Sequence, residues 1–203
     1  VLGRAEQNMG WVHYRLGQLQ EARSCYLQAL SMHRESGVHA WQALNLNYLA
    51  EVELSEGNYH AAEKYASEAR EISRTRGCLL IRGYVQMISG IVALACGRID
   101  QAETFLNDAI ETLGAFGTRF HLAMAYLWQG RLAAITSRYD IAEDLLGKSL
   151  RGFQQISSEL EIIRCLETYA WIALQRGDST LSATVCDSTS VYRRQFHVPV
   201  TKL

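Results

Sequence analysis

The chain has 203 residues, of which 48% are hydrophobic and 20% charged, a composition typical of a folded protein and not of a disordered one. Its formal net charge of −1 argues against binding nucleic acid or an anionic membrane through overall charge. No apolar run reaches the roughly 18 residues that a membrane-spanning helix needs. The five cysteines are scattered without a CxxC pair, which favours reduced thiols in a cytoplasmic protein over disulfides or a zinc site.

Small residues recur along the chain at intervals of forty positions. Four such registers hold a small residue in all five copies: Gly10/Ala50/Gly90/Gly130/Ala170, Gly17/Gly57/Gly97/Ser137/Gly177, Ala22/Ala62/Ala102/Ala142/Ser182 and Ala29/Ala69/Ala109/Ser149/Thr189. Self-similarity at a fixed period is the signature of a tandem repeat. The pattern predicts a single array of five repeats, over residues 1–38, 39–78, 79–118, 119–158 and 159–196, followed by a tail at 197–203.

Each repeat is predicted to contain two helices, called helix A and helix B. Helix A ends at the register of Gly17, since glycine tolerates the positive φ of a tight turn. Helix B ends at the register of Gly37, which holds Gly77, Gly117 and Ser157 in the next three copies. The predicted helices cover residues 2–16, 19–36, 39–56, 59–76, 79–96, 99–116, 119–136, 139–156, 159–176 and 179–196.

The small registers also predict how the two helices pack. A glycine or alanine on helix A is expected to face an alanine on helix B, so that the axes approach closely. Larger residues of helix B, such as Tyr26, Leu106 and Leu146, are then expected to fill the outer seam.

The two ends of the array differ in polarity. The last predicted helix, from Thr180 to Ser190, is rich in serine and threonine, as expected of an element that caps a repeat array. The first repeat has no polar element before it. We therefore expect this edge to be covered by further helices or by a partner, with self-association through it as one possibility.

These features resemble the tetratricopeptide repeat. The family motif carries a small residue near its eighth position, here the register of Gly10, a glycine at the turn, here that of Gly17, and alanines along helix B. The usual period is about 34 residues, so the forty-residue period is similar to the longer repeats of MalT-type and AfsR-type bacterial regulators, Rap-type receptors and LGN-type adaptors. The resemblance implies an all-α, right-handed superhelical solenoid of five helix pairs.

The resemblance also implies that helices A line a concave groove in which ligands bind. Residues three or four apart on a helix share one face, and we call the corresponding face of helices A the A face. Its predicted binding residues are Arg4, Asn8, Trp11, Asn47, Tyr48, Glu51, Tyr84, Met87, Trp128, Arg131, Arg164, Glu167 and Trp171. Tryptophan, tyrosine, methionine and arginine are types enriched at binding interfaces. The polar members are expected to be exposed, whereas the tryptophans could instead pack between neighbouring repeats.

One narrower version of this site is disfavoured. Some chaperone-binding relatives clamp a terminal carboxylate with a set of lysine, asparagine and arginine residues. Arg4 and Asn8 have the spacing of its first pair, but the third repeat offers Tyr84 and Ile91 where two cations are needed. The A face is instead aromatic and apolar in its middle, with basic and amide groups near both ends.

The sequence offers no catalytic or cofactor site. The six histidines show no HExxH spacing, and no P-loop, dinucleotide-binding or GxSxG motif is present. We therefore predict no catalytic residue, no metal and no cofactor. Basic residues such as Arg70 and Arg74 alternate with Glu68 and Glu71, which is typical of a solvated helix face and not of a nucleic-acid site.

The first functional hypothesis is a non-catalytic scaffold that binds a protein or peptide, as the interaction or sensor region of a larger, bacterial transcriptional regulator. A second is a domain that binds a small-molecule effector, as MalT-type arrays suggest by resemblance. A third is a structural spacer or oligomerisation module, which predicts a polar and featureless groove.

Overall fold

The computed structural model describes residues 2–76, 79–116 and 118–195, and all regular secondary structure within these ranges is helical. The helices are α1 (Leu2–Arg15), α2 (Leu19–Glu35), α3 (His39–Ser55), α4 (Tyr59–Arg76), α5 (Leu79–Ala95), α6 (Ile99–Ala115), α7 (Arg119–Ile135), α8 (Tyr139–Gln155), α9 (Glu159–Gln175) and α10 (Ser179–Gln195). Every end lies within one residue of its predicted position, which confirms the all-α fold of five helix pairs at a period of forty. The predicted tail at 197–203 and the helix ends at Gly77 and Gly117 lie outside the described residues.

The helices form two compact units. The first, Val1–Phe116, holds α1 to α6, and the second, Gly117–Leu203, holds α7 to α10. In both units each helix A packs against its own helix B, and α3, α5 and α9 also pack against the helix B before them. In addition, α3 contacts α5, and α7 contacts α9. Leu46, Leu49 and Tyr26 are buried in the first core, and Leu127 and Phe153 in the second. That all five repeats form a single array stays a prediction.

The turn between helices A and B has one conformation throughout the described repeats. Gly17, Gly57, Gly97 and Gly177 all have φ between 73° and 84°, in the left-handed region. Ser137 occupies the same register with φ of 59° and therefore carries the strain that a glycine would avoid. The turn predicted from the small residues is confirmed.

The packing of the Gly10 register differs from the prediction. A β-carbon at Gly90 would lie 3.3 Å from the backbone oxygen of Ala102, so the close approach to the alanine register is confirmed. The same β-carbon, however, would lie 2.6 Å from Cγ of Leu106, and one at Gly10 would lie 2.6 Å from Cε1 of Tyr26. Tyr26 and Leu106 are fully buried and do not lie in an outer seam. The glycine leaves a hollow in helix A, and the large side chain of helix B fills it.

The size of the helix B residue in this pair varies with that of its helix A partner. Each glycine on helix A is sixteen positions before a large residue, as the sequence shows for Gly10/Tyr26, Gly90/Leu106 and Gly130/Leu146. The two alanines of the register are instead sixteen positions before small residues, in Ala50/Ala66 and Ala170/Cys186. Ala50 and Ala66 are both fully buried. A larger residue on helix A therefore goes with a smaller one on helix B, as close packing between the two helices favours.

Candidate functional site

The A face of α1 carries the most exposed of the predicted binding residues. Trp11 is 52% exposed and Asn8 is also exposed. Arg15 lies over the Trp11 ring, with its guanidinium carbon 5.7 Å from the ring centroid. Arg4 is also exposed, and its guanidinium carbon lies 5.2 Å from the ring centroid of Trp41 of α3. This part of the A face presents aromatic rings with cations stacked on them, a combination suited to binding.

A cluster of tyrosines lies next to this region in the first unit. The rings of Tyr26 and Tyr48 stack with centroids 5.0 Å apart, and Tyr48 meets Tyr84 at 5.9 Å. The Tyr84 hydroxyl donates a hydrogen bond of 2.9 Å to Oε2 of Glu51. Burial, with the negative charge of Glu51, raises the pKa of Tyr48 and Tyr84 well above its ordinary value, so both phenols stay protonated donors. The Tyr84 hydroxyl and the Glu51 carboxylate of this cluster are therefore partners of each other.

Three predicted binding residues of the first unit are buried. Asn47, which was expected to be exposed, is fully buried, and its Nδ2 donates to the backbone oxygen of Tyr84 at 3.3 Å. Tyr84 and Met87 are also buried. The expectation of exposure for Asn47 was wrong because α5 packs against α3 and covers this register. These three residues therefore lie beneath the surface of the A face.

In the second unit, Arg131 is likewise buried, against expectation. It is only 8% exposed, its Nε donates to the Thr168 hydroxyl at 3.2 Å, and its guanidinium carbon lies 4.8 Å from the centroid of the Trp128 ring. Burial, followed by the positive charge of Arg164, lowers the pKa of Arg131 to about 10. Trp128 is half-buried, so the tryptophan and the arginine cover each other between α7 and α9.

The remaining predicted residues lie on α9. Trp171 is 40% exposed, and Arg164 is half-buried. Glu167 accepts hydrogen bonds from Arg193 of α10, at 3.0 Å from Nε and 2.6 Å from Nη2. The Glu167 carboxylate is therefore engaged by α10. Of the three tryptophans predicted for the A face, Trp11 and Trp171 are the two available to a ligand.

Residue types in the sequence did not indicate three of these contacts. They are the stacking of Arg4 on Trp41, the hydrogen bond from Arg131 to Thr168, and the pairing of Arg193 with Glu167. The period does contain a signal for some of them. The pair Glu51 and Tyr84 is separated by 33 positions, and the pair Arg131 and Thr168 by 37. Offsets of this size, slightly below one period, join neighbouring helices A.

A depression of about 420 Å³ lies on the opposite side of the first unit, along helices B. It is lined by Glu63, Arg70, Arg98, Asp100, Gln101, Thr104 and Phe105. Glu63 pairs with Arg70 at 3.0 Å and also with Arg98, while Arg70 lies over the Phe105 ring at 5.0 Å. The charged groups of the depression therefore neutralise one another.

The described residues contain no cluster of three histidine, cysteine, aspartate or glutamate side chains that could hold a metal ion. The four cysteines within the described ranges, Cys25, Cys96, Cys165 and Cys186, are free thiols. Burial raises the pKa of the Cys165 thiol to about 11, which makes it a poor nucleophile. None of the helices described has both the length and the apolar character needed to cross a bilayer.

Comparison with known proteins relates the first part of the chain to a known repeat family. Residues 2–75 match the family model of the tetratricopeptide repeat. No curated protein matches the chain by sequence.

The solved structures that share the fold include the following three. One is a Rap protein complexed with Competence and Sporulation Factor, with a TM-score of 0.82 and 16% identity over 95% of this chain and 54% of that one. Another is the apo form of RapI, with a TM-score of 0.72 and 15% identity over 97% of this chain and 72% of that one. A third is BtubC from P. vanneervenii, with a TM-score of 0.69 and 15% identity over 96% of this chain and 80% of that one. The chain spans about half the length of the Rap protein in the complex.

Proposed function

We propose that this chain, a repeat protein of the tetratricopeptide type, is a non-catalytic scaffold that binds a peptide or an extended protein segment on its A face. The observation that carries the proposal is the exposure of Trp11 and Trp171, which occupy the same register of helix A in the first and fifth repeats. Large aromatic side chains contribute much of the binding energy at protein interfaces. A structural spacer is expected to have a polar face without exposed tryptophans at this register, so the scaffold is favoured over the spacer.

A sensor role within a larger regulator is the narrower form of this proposal. It is supported by the similarity in fold to a Rap protein that was crystallised with Competence and Sporulation Factor. The small-molecule alternative is less favoured, because the depression found among the described residues lies along helices B and has no apolar, enclosed character. We further propose a cytoplasmic location, supported by the free cysteines, and no direct contact with nucleic acid.

The proposal is tested by selecting peptides against the immobilised chain from a displayed random library and measuring their dissociation constants by calorimetry. Trp11→Ala and Trp171→Ala are the test variants. Tyr59→Ala is the matched control, since Tyr59 is an aromatic residue 48% exposed on helix α4. We expect at least about a tenfold weakening, or about 1.4 kcal/mol, for one of the two tryptophan variants and no change for the control. Equal affinity for all three variants would contradict binding on the A face.

We propose self-association through α1 as a second role. Its outer face exposes Leu2, Met9 and Val12, and the exposed Leu16 follows directly after the helix. These four residues are spaced by seven, three and four positions, like the apolar seam of a two-helix coiled coil. The same registers in α3, at Leu49 and Val52, are buried.

Because this seam is apolar and its spacing is that of a self-pairing helix, a second copy of the chain is the proposed occupant. Light scattering after size exclusion checks it: dimers are expected for the unchanged chain and monomers for Val12→Lys. Leu27→Lys, on the exposed face of α2, serves as the control and is expected to remain dimeric. A monomer at every concentration of the unchanged chain would rule this role out.

A further inference from the structure

Corresponding positions in the two units have opposite electrostatic character. In the first unit, Glu51 of α3 accepts a hydrogen bond from Tyr84 of α5, 33 positions further along. The same positions in the second unit are two periods, or eighty residues, later and hold Arg131 of α7 and Arg164 of α9. A matched acceptor and donor in one unit are thus replaced by two cations in the other.

Two hydrogen-bond donors at this site, one on Arg131 and one on Trp128, lack an acceptor among the described residues. Nη2 of Arg131 and Nε1 of Trp128 are both buried, and neither has a hydrogen-bond partner among the residues that the structure describes. Both groups are donors only. Buried donors are normally paired, because an unpaired donor loses its hydrogen bonds to water without replacement, and the loss is larger when the donor is charged. The two unused donors belong to side chains in direct contact, since the guanidinium of Arg131 lies over the Trp128 ring.

The neighbouring acceptors do not supply the missing charge. Thr168 offers a neutral hydroxyl to Nε of Arg131 and itself donates to the backbone oxygen of Arg164. Glu167 is close enough for its charge to act on Arg131, but its carboxylate accepts two hydrogen bonds from Arg193. No ion pair of Arg131 or Arg164 is formed among the residues that the structure describes.

We infer that the second unit contains a carboxylate-binding site, in which Arg131 and Arg164 bridge one carboxylate and the indole N–H of Trp128 donates a further hydrogen bond to it. A guanidinium fork matches the two oxygens of a carboxylate, and both cations gain the counter-charge that the fold does not provide. Because Arg131 is almost fully covered, the Trp128 ring must move outward when the carboxylate enters. The site uses the fourth and fifth repeats, and therefore differs from the terminal-carboxylate clamp whose pattern begins at Arg4 and Asn8.

The biological source of the carboxylate rests on the proposed function: it is an acidic side chain or the free C-terminus of a bound peptide. The site itself can be tested without any peptide, so failure of one proposal is distinguishable from failure of the other. Sodium acetate is titrated into the ¹⁵N-labelled chain at constant ionic strength maintained with chloride. The four indole N–H signals are followed by NMR, and the Trp128 signal is assigned with Trp128→Phe.

We expect a saturable shift of the Trp128 indole signal with acetate, lost in Arg131→Met and in Arg164→Gln. Arg74→Gln is the matched control, because Arg74 is an exposed arginine of α4 that lies outside the A face and pairs with Glu71. This control is expected to keep the full response. Arg131→Met is also expected to raise the Tm of the acetate-free chain, since a buried and unpaired cation is replaced by an apolar side chain of similar length.

Three results would overturn the inference. The first is no saturable shift at Trp128 with acetate, and the second is a shift that persists in both arginine variants. The third is a response to inorganic phosphate that is at least tenfold tighter than the response to acetate, which would assign the site to phosphate instead. If Arg131→Met does not fold, Arg164→Gln and the Trp128 signal still decide between these outcomes. For peptides that bind, C-terminal amidation and Asp→Asn substitution distinguish the two carboxylate sources.

Discussion

The contact between Gly90 and Leu106 predicts that one substitution will change sign with its background. A β-carbon at Gly90 would lie 2.6 Å from Cγ of the fully buried Leu106, so Gly90→Ala should destabilise the chain by about 1–3 kcal/mol through overpacking. Leu106→Ala should cost about 2–5 kcal/mol through the cavity it leaves. In the Leu106→Ala background, however, the clash with Leu106 is removed and only the 3.3 Å approach to the backbone oxygen of Ala102 remains. The better helix propensity of alanine, about 1 kcal/mol, is then expected to prevail.

Gly90→Ala is therefore expected to stabilise the Leu106→Ala protein, and the double variant reproduces the pair Ala50/Ala66 found in the second repeat. The measurement is urea unfolding followed by far-UV circular dichroism, with the free energy of unfolding taken for all four proteins. Gly114→Ala is the control, because a β-carbon there has no neighbour within 4 Å, and it should be neutral or slightly stabilising. The same destabilisation by Gly90→Ala in both backgrounds would refute the account of paired volumes.

Two further predictions concern the turn and the depression along helices B. Ser137→Gly should stabilise the chain by up to about 1 kcal/mol, because the left-handed strain that it removes outweighs the unfolded-state entropy that glycine adds. Gly97→Ser should destabilise the chain by a similar amount in thermal unfolding, and equal signs for the two variants would contradict the reasoning. Burial acts to raise the pKa of Glu63, but hydrogen bonds from Arg70 and Arg98 together leave it lowered from 4.5. Since the folded-state pKa is the lower one, the stabilisation is complete well above pH 4.5 and is lost as the pH falls through the folded-state value. Glu63→Gln should therefore lower the Tm at pH 7 and leave it little changed below pH 3; an equal loss at both pH values would count against this ion pair.

The helices and turns followed from the sequence because they depend on local rules repeated five times. A residue at the Gly17 register must adopt a positive φ wherever helix A reverses into helix B, and the period carries this requirement to Ser137. The pairing of Gly90 with Leu106 was missed, although the sequence contains it as a spacing of sixteen. It involves two registers that vary together, and a search for residues that stay constant overlooks it.

The binding surface was harder to predict, because exposure depends on the neighbouring helix A. Asn47 and Arg131 are on the expected face, yet each is covered by the following helix A, through Tyr84 and Thr168 respectively. Polarity suggested that both residues would be solvated, as most asparagines and arginines are. Trp11, by contrast, is an apolar residue that the structure leaves exposed. Burial in a repeat protein is set between repeats, and the sequence of one helix does not report it.

The volume pairs described above also determine where repeats can be recombined. Both members of each pair belong to the same repeat, as in Gly130 and Leu146. An exchange of sequence between two repeats therefore keeps every pair intact when the crossover falls after helix B. A crossover within the turn from helix A to helix B would join, for example, the alanine of the second repeat to the leucine of the third, or leave a glycine facing an alanine. The natural module for shuffling or engineering this chain is the complete forty-residue A–B hairpin.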